Sequence, residues 1–206
     1  MVVTRNGELI VRAPYNTPLP FIEHVINRKS LWIIKKLNEA ASMPQYETRK
    51  FSEGELFMYL GNQYPLSIIE NNKSAVRFVE DTIYISSKAF LNAERNIIRW
   101  YQTEAYKVLT ERTEYFSASV NMKPSSIRLS GAKRRWGSCG RKGNINYNWR
   151  LIMAPLEILD YIVVHELAHL RHHNHSKQYW NLVFSIMPEY KSRELWLQKN
   201  GHLLNL

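Results

Sequence analysis

Cysteine is almost missing from this 206-residue chain: Cys139 stands alone, so no intrachain disulfide can form. That fits a reducing compartment. Acidic residues are also few, 18 against 28 lysines and arginines, giving a formal charge of +10. No apolar run approaches the roughly 18 residues of a membrane span. The opening stretch, MVVTRNGELIVRAP, lacks the apolar core of a secretion signal. A soluble cytoplasmic protein with no membrane partner is therefore expected. Internal repeats and low-complexity tracts are absent too. What is present, 45% hydrophobic and 22% charged residues, is the balance of a folded chain and excludes a disordered one. The length suffices for one sizeable core, or a small domain beside a larger one. The positive excess would attract nucleotides, nucleic acid or acidic proteins, but charge sign alone defines no site.

Hydrophobic patterning predicts an α+β chain. Asn6-Gly7 between TR and ELIVR reads as a hairpin turn. Thr17-Pro18 opens one helix along Ile22, Val25, Ile26, Ile33 and Leu37, closed by Met43-Pro44. ELFMYL, Gly61-Asn62 and YPLSIIE form a second hairpin signal; AVRFVE, Asp81-Thr82 and IYIS form a third. Residues 1–87 are thus expected to be a small, mostly antiparallel β-rich subdomain with one helix. Residues 88–206 form the second domain. It begins with a helix from Lys88 to about Phe116. SIRLS and NINYNW follow as strands around a basic, glycine-containing loop, and two or three helices close the chain. The last, around Glu189–Asn200, has Gly201 in the C-cap position.

Five of the seven histidines fall in HELAHLRHHNHS, residues 165–176. Pro155 and Glu157 mark a helix start, and the apolar run from Leu156 to Ala168 predicts a largely buried helix. On it His165 and His169 stand at i and i+4, one above the other, so both imidazoles can reach one ion. Glu166 lies beside them without needing to bind. This is the HExxH arrangement, with Glu166 as general base toward a metal-activated water. A catalytic zinc takes three protein ligands and keeps one position open, whereas a structural zinc closes four and usually uses cysteine. His175 is the candidate third ligand, at the spacing of the metzincin motif. Asn174 provides a way out of the helix, and Ser176 caps the next one, SKQYWNLVF. His172 and His173 would continue the first helix one turn past the metal. Imidazole ligands also suit manganese, nickel and iron.

Three stretches then carry a family resemblance: RRWGSC with GNINYNWRLIMAP; LDYIVVHELAHLRHHNHS with YW after it; and PEYKSRELWLQKNG. With them the chain resembles the YgjP-like metal-dependent hydrolases, relatives of the WLM and SprT-like minimal metallopeptidases. The resemblance covers about Ser130–Gly201. It implies a zincin-like catalytic core in residues 88–206, with His165, His169 and His175 on Zn2+ and Glu166 as the catalytic carboxylate. The activity implied is metallopeptidase action on a peptide or protein. The alternative is nucleotide (UTP-type) pyrophosphohydrolysis on the same scaffold. A further alternative, of another class, is a basic nucleic-acid-binding module with a structural metal.

Around the site, NINYNW alternates, with Ile145, Tyr147 and Trp149 on one side and Asn144, Asn146 and Asn148 on the other. If this is the edge strand beside a zincin cleft, it pairs with substrate backbone, and the asparagines become candidate substrate contacts. In the loop GAKRRWGSCGRKG, Arg134 and Arg135 are candidates to hold substrate or phosphate, or else to pair with Asp160. Trp136 and Gly137 are expected to be structural, and Cys139 a buried small residue. Tyr179, His172 and Arg171 are candidate oxyanion donors by proximity.

Overall fold

Turn signals between alternating strands produce hairpins throughout the computed structural model, which describes residues 1–4, 7–42, 49–70 and 74–206. Contacts divide it into two units, 1–49 and 50–206. In the first, β1 (Val2–Val3) and β2 (Leu9–Ile10) pair antiparallel. Asn6, the expected turn residue, lies outside the described residues, as does the Met43-Pro44 stop. Where one helix was expected there are two, α1 (Leu19–Arg28) and α2 (Ser30–Ser42), interrupted at Lys29. Pro18 is the residue before the first helix, not its first residue.

The second unit holds a four-stranded sheet of β3 (Leu56–Tyr59), β4 (Asn62–Ile69), β5 (Val76–Val79) and β6 (Thr82–Ser86), in the order β3-β4-β6-β5. Two pairings are antiparallel; β4–β6 is parallel, because the chain crosses over between the two hairpins. Both hairpin turns sit one residue earlier than read: Leu60-Gly61 and Glu80-Asp81 take the left-handed φ values of two-residue hairpin loops. A short helix α3 (Ser87–Phe90) precedes the long α4 (Ala93–Val120). Phe57, Leu66, Ile83 and Ile85 of the sheet share one core with Ile97 and Tyr101 of α4. The compact division therefore falls at 49/50, well ahead of the 87/88 boundary read from the sequence.

A three-stranded sheet follows, of β7 (Ser126–Ser130), β8 (Gly137–Cys139) and β9 (Asn144–Asn148), ordered β7-β9-β8. A 3₁₀ turn, Trp149–Met153, leads to α5 (Leu156–Ala168), α6 (Lys177–Ile186) and α7 (Tyr190–Asn200). The mixed class is the expected α+β.

Two contacts fix where α5 begins and how it lies. The β3–β4 turn docks on the residues before the helix: Leu60 N–H donates to the Ile152 carbonyl at 2.8 Å and Gly61 N–H to that of Met153 at 3.2 Å. Gly61 is needed there twice over, since its φ is +87° and a Cβ would stand 2.9 Å from Pro155. Farther along, Arg112 of α4 grips Asp160 of α5 through two bonds, Nε to Oδ1 at 2.6 Å and Nη2 to Oδ2 at 2.8 Å. Neither Arg134 nor Arg135 takes that role. The Arg112 guanidinium also lies over the rings of Tyr115 and Phe116. Asp160 is nearly buried, and removing one partner of such a pair strands the other charge. We expect Arg112→Ala to lower stability by about 3 kcal/mol, read as a shift in the urea midpoint at constant m-value. Replacing both residues by apolar ones should recover most of the loss. An unchanged midpoint for the single variant would contradict this assignment.

Candidate metal centre

Helix α5 is buried over most of its length because Ile158, Leu159, Ile162, Val163, Val164 and Leu167 leave it no solvent face. It ends at Ala168, with His169 as its C-cap. Leu170 and Arg171 N–H groups reach back only three residues, to the carbonyls of Leu167 and Ala168, a tightened last turn. His172 and His173 thus belong to the turn after the helix, not to another helical turn. The early end lets the chain double back, and His175 returns over the face carrying His165 and His169. Ser176 then caps α6, its Oγ accepting from Tyr179 N–H.

One ligand nitrogen each of His165, His169 and His175 lies within 4.8 Å of the others. The His165 and His175 Nε2 atoms are 3.3 Å apart. Two nitrogens bound tetrahedrally to one zinc at 2.0–2.1 Å would be separated by about 3.3 Å. His169 is oriented by its other nitrogen, since Nδ1 is 3.0 Å from the His172 carbonyl. An Nδ1–H donating there leaves the Nε2 lone pair free, the usual support of a metal-bound histidine. Burial, then the neighbouring His169 and His175, pushes His165 down to about 3; burial also lowers His169. Both are therefore neutral, as a ligand must be. Among the described residues, His165 Nδ1 and Glu166 Oε2 are buried without a hydrogen-bond partner, whereas the Nε2 atoms converge on one point. The donor set fits a divalent ion.

Glu166 is 4% exposed. Burial pushes its carboxyl up to about 8, with the Arg135 charge pulling the other way. Its position is set by Gly137 of β8: a Cβ there would stand 2.7 Å from Glu166 Cδ, so only a glycine lets the strand approach. Cys139, two residues on, has its thiol raised to about 11 by burial and by the Glu166 charge. It is half-buried, where a buried small residue was expected.

Aromatic residues wall the histidines. Tyr179, fully buried, packs its ring 4.6 Å from His169, 4.8 Å from His175 and 5.5 Å from His165. Its hydroxyl donates to the His165 carbonyl at 3.0 Å, so it is not a free oxyanion donor. Trp180 stacks on Tyr190 and backs His175. Sequence reading expected a structural Gly137 but not its contact with Glu166, and it missed the positioning roles of Tyr179 and Trp180; the Ser176 cap, which fixes Tyr179 three residues into α6, was the available signal for the last two.

The expected edge strand is corrected. Asn144–Asn148 is the central strand, paired with β7 on one side and β8 on the other, so its main chain has no open edge. Register also sets the asparagines apart from Glu166. Gly137 pairs with Tyr147 and Ser138 with Asn146, which puts the Asn row on the face opposite the one where Gly137 meets Glu166. Asn148 is engaged internally, donating to the Ala132 and Arg135 carbonyls and accepting from Arg150 N–H. Asn146 reaches Ser138, and Asn144 lies against Gly140. Among the described residues the open edge beside Glu166 belongs to β8. Arg134 and Arg135 are exposed just before it.

Gly137→Ala should displace the Glu166 carboxyl and cut turnover about 100-fold, the order of loss for a misplacement near 1 Å. Zinc stoichiometry and far-UV circular dichroism should stay unchanged. Parental turnover in this variant would contradict the close approach.

Among solved structures, the metallopeptidase zymogen abylysin of Pyrococcus abyssi is similar over 44% of this chain and 93% of its own, at 22% identity and a TM-score of 0.41. No curated protein matches the chain. The YgjP-like metallopeptidase domain family matches residues 1–200. With nearly the whole chain covered, the protein belongs to this family and is a metal-dependent hydrolase.

Proposed function

We propose that the chain is a zinc-dependent peptidase in which His165, His169 and His175 hold the ion and Glu166 moves the proton. The observation that carries this reading is the meeting of three imidazole nitrogens, two of them 3.3 Å apart, beside a buried carboxylate outside that set. A purely structural ion would have no use for Glu166 there. Bound at the three nitrogens, the ion would supply Lewis acidity and lower the pKa of water to roughly 7. Glu166 accepts a proton from the water that attacks the scissile carbonyl, then delivers it to the leaving amine. Gly137 and the wall of α5 hold that carboxylate in place. Burial supplies the low-polarity surroundings in which its charge and proton affinity change most with each step.

The outer edge of Gly137–Cys139 is the place for substrate backbone, since an extended peptide completes unpaired N–H and C=O groups there. No described helix is long and apolar enough to cross a membrane, and a lone cysteine suits a reducing cytoplasm. Nucleotide pyrophosphohydrolysis is the second reading, favoured by the exposed Arg134 and Arg135, the latter close enough for its charge to act on Glu166.

Zinc-loaded protein should cleave an unstructured protein and lose that activity on chelation. Glu166→Gln should lower it by about 10²–10⁴-fold while retaining zinc. Release of pyrophosphate from nucleoside triphosphates by the parent alone would favour the second reading. Equal activity of parent and variant on every substrate would contradict both.

A further inference from the structure

Between Glu114 and Glu157 the sequence contains no aspartate or glutamate and eight lysines and arginines. That stretch of 42 residues therefore carries +8 of the chain's +10, and the remaining 20 cations meet 18 acids. The excess is not spread over the surface; it belongs to the sheet containing β8 and its connections. Five of the cations bracket the β8 edge, Lys133, Arg134 and Arg135 before it and Arg141 and Lys142 after it. All five are exposed. None is in an ion pair among the described residues. Gly137, between the two groups, lies against the Glu166 carboxyl.

From this arrangement, and resting on the peptidase reading, we propose that the β8 edge selects acidic polypeptide segments as substrates. The short edge Gly137–Cys139 supplies backbone pairing for a few residues of an extended chain. The cations at its two ends then meet the side chains or flanks that run past the pairing region. A strand edge is matched by a peptide and not by a phosphodiester backbone. Single-stranded nucleic acid would instead need exposed aromatic platforms beside the cations. The one aromatic of the loop, Trp136, is committed: its ring lies 3.0 Å from where a Cβ on Gly201 would stand. Tyr147 on the adjoining strand is fully buried. Opposite charge on a substrate also raises its encounter rate, and that gain falls with salt.

The test uses the full chain with Glu166→Gln, zinc-loaded, and short fluorescein-labelled peptides identical except for Asp and Glu in one and Asn and Gln in its twin. Fluorescence anisotropy should show the acidic peptide binding about tenfold tighter at low salt, with the advantage shrinking as salt rises. Adding Arg134→Glu with Arg135→Glu should erase the advantage. Arg141→Glu with Lys142→Glu provides an independent variant should the first fold poorly, and should reduce it as well. Equal binding of the twins, or tighter binding of a single-stranded oligonucleotide than of the acidic peptide, overturns the proposal. Cleavage of the twins by the zinc-loaded parent separates the two levels. Equal kcat/KM on both sinks the acidic preference alone, whereas cleavage of neither sinks the peptidase reading on which it rests.

Discussion

The return of His175 over the end of α5 is the constraint from which the rest of the site follows. Two imidazoles one helical turn apart define a direction but not an enclosed ion; the third must come from another segment, and only an early helix end permits that. Here α5 stops at Ala168, the His172 carbonyl takes the His169 Nδ1, and Ser176 starts α6 at once. Tyr179 and Trp180, in the first turn of α6, then fill the space behind the rings. Loosening any of these contacts would let an exposed histidine, His175, drift from two half-buried ones.

The surrounding framework is arranged to keep α5 immobile. Its entry is tied to the β3–β4 turn, its middle to α4 through Arg112 and Asp160, and its Glu166 to the backbone of β8 at Gly137. These ties come from sequence-distant elements, so the site is assembled by the fold of residues 50–206 and not by the histidine segment alone. The low polarity that burial creates has two opposite uses. It holds His165 neutral and ready to donate a lone pair, and it raises the proton affinity of Glu166. A divalent charge nearby would draw the carboxyl back toward its ionised form, which would couple loading of an ion to ionisation of Glu166.

The sequence was most informative where chemistry depends on local spacing. His165 and His169 follow from the helical period, and Ser176 as a cap follows from its place before an amphipathic run. Strand alternation likewise separated Ile145 and Tyr147 from the asparagines. It could not say which face would meet α5, because that depends on β8, a three-residue strand hidden in a glycine-rich basic loop. Once β8 pairs with Asn144–Asn148, that strand becomes central and its asparagines face away from Glu166. Asp160 likewise found its partner 48 residues away, in Arg112, where proximity in the chain gave no hint. The interruption at Lys29 was invisible to a hydrophobic period that continues smoothly across it. Gly201 sits at the expected helix end but keeps right-handed φ and ψ values; its small size serves the Trp136 ring instead.

Titration of zinc into metal-free protein by calorimetry tests the central claim most directly. The account predicts one tight site per chain in the parent, and a large loss of affinity when His175 alone is replaced by alanine, with the fold retained. Unchanged zinc affinity in that variant would contradict a centre built from three histidines.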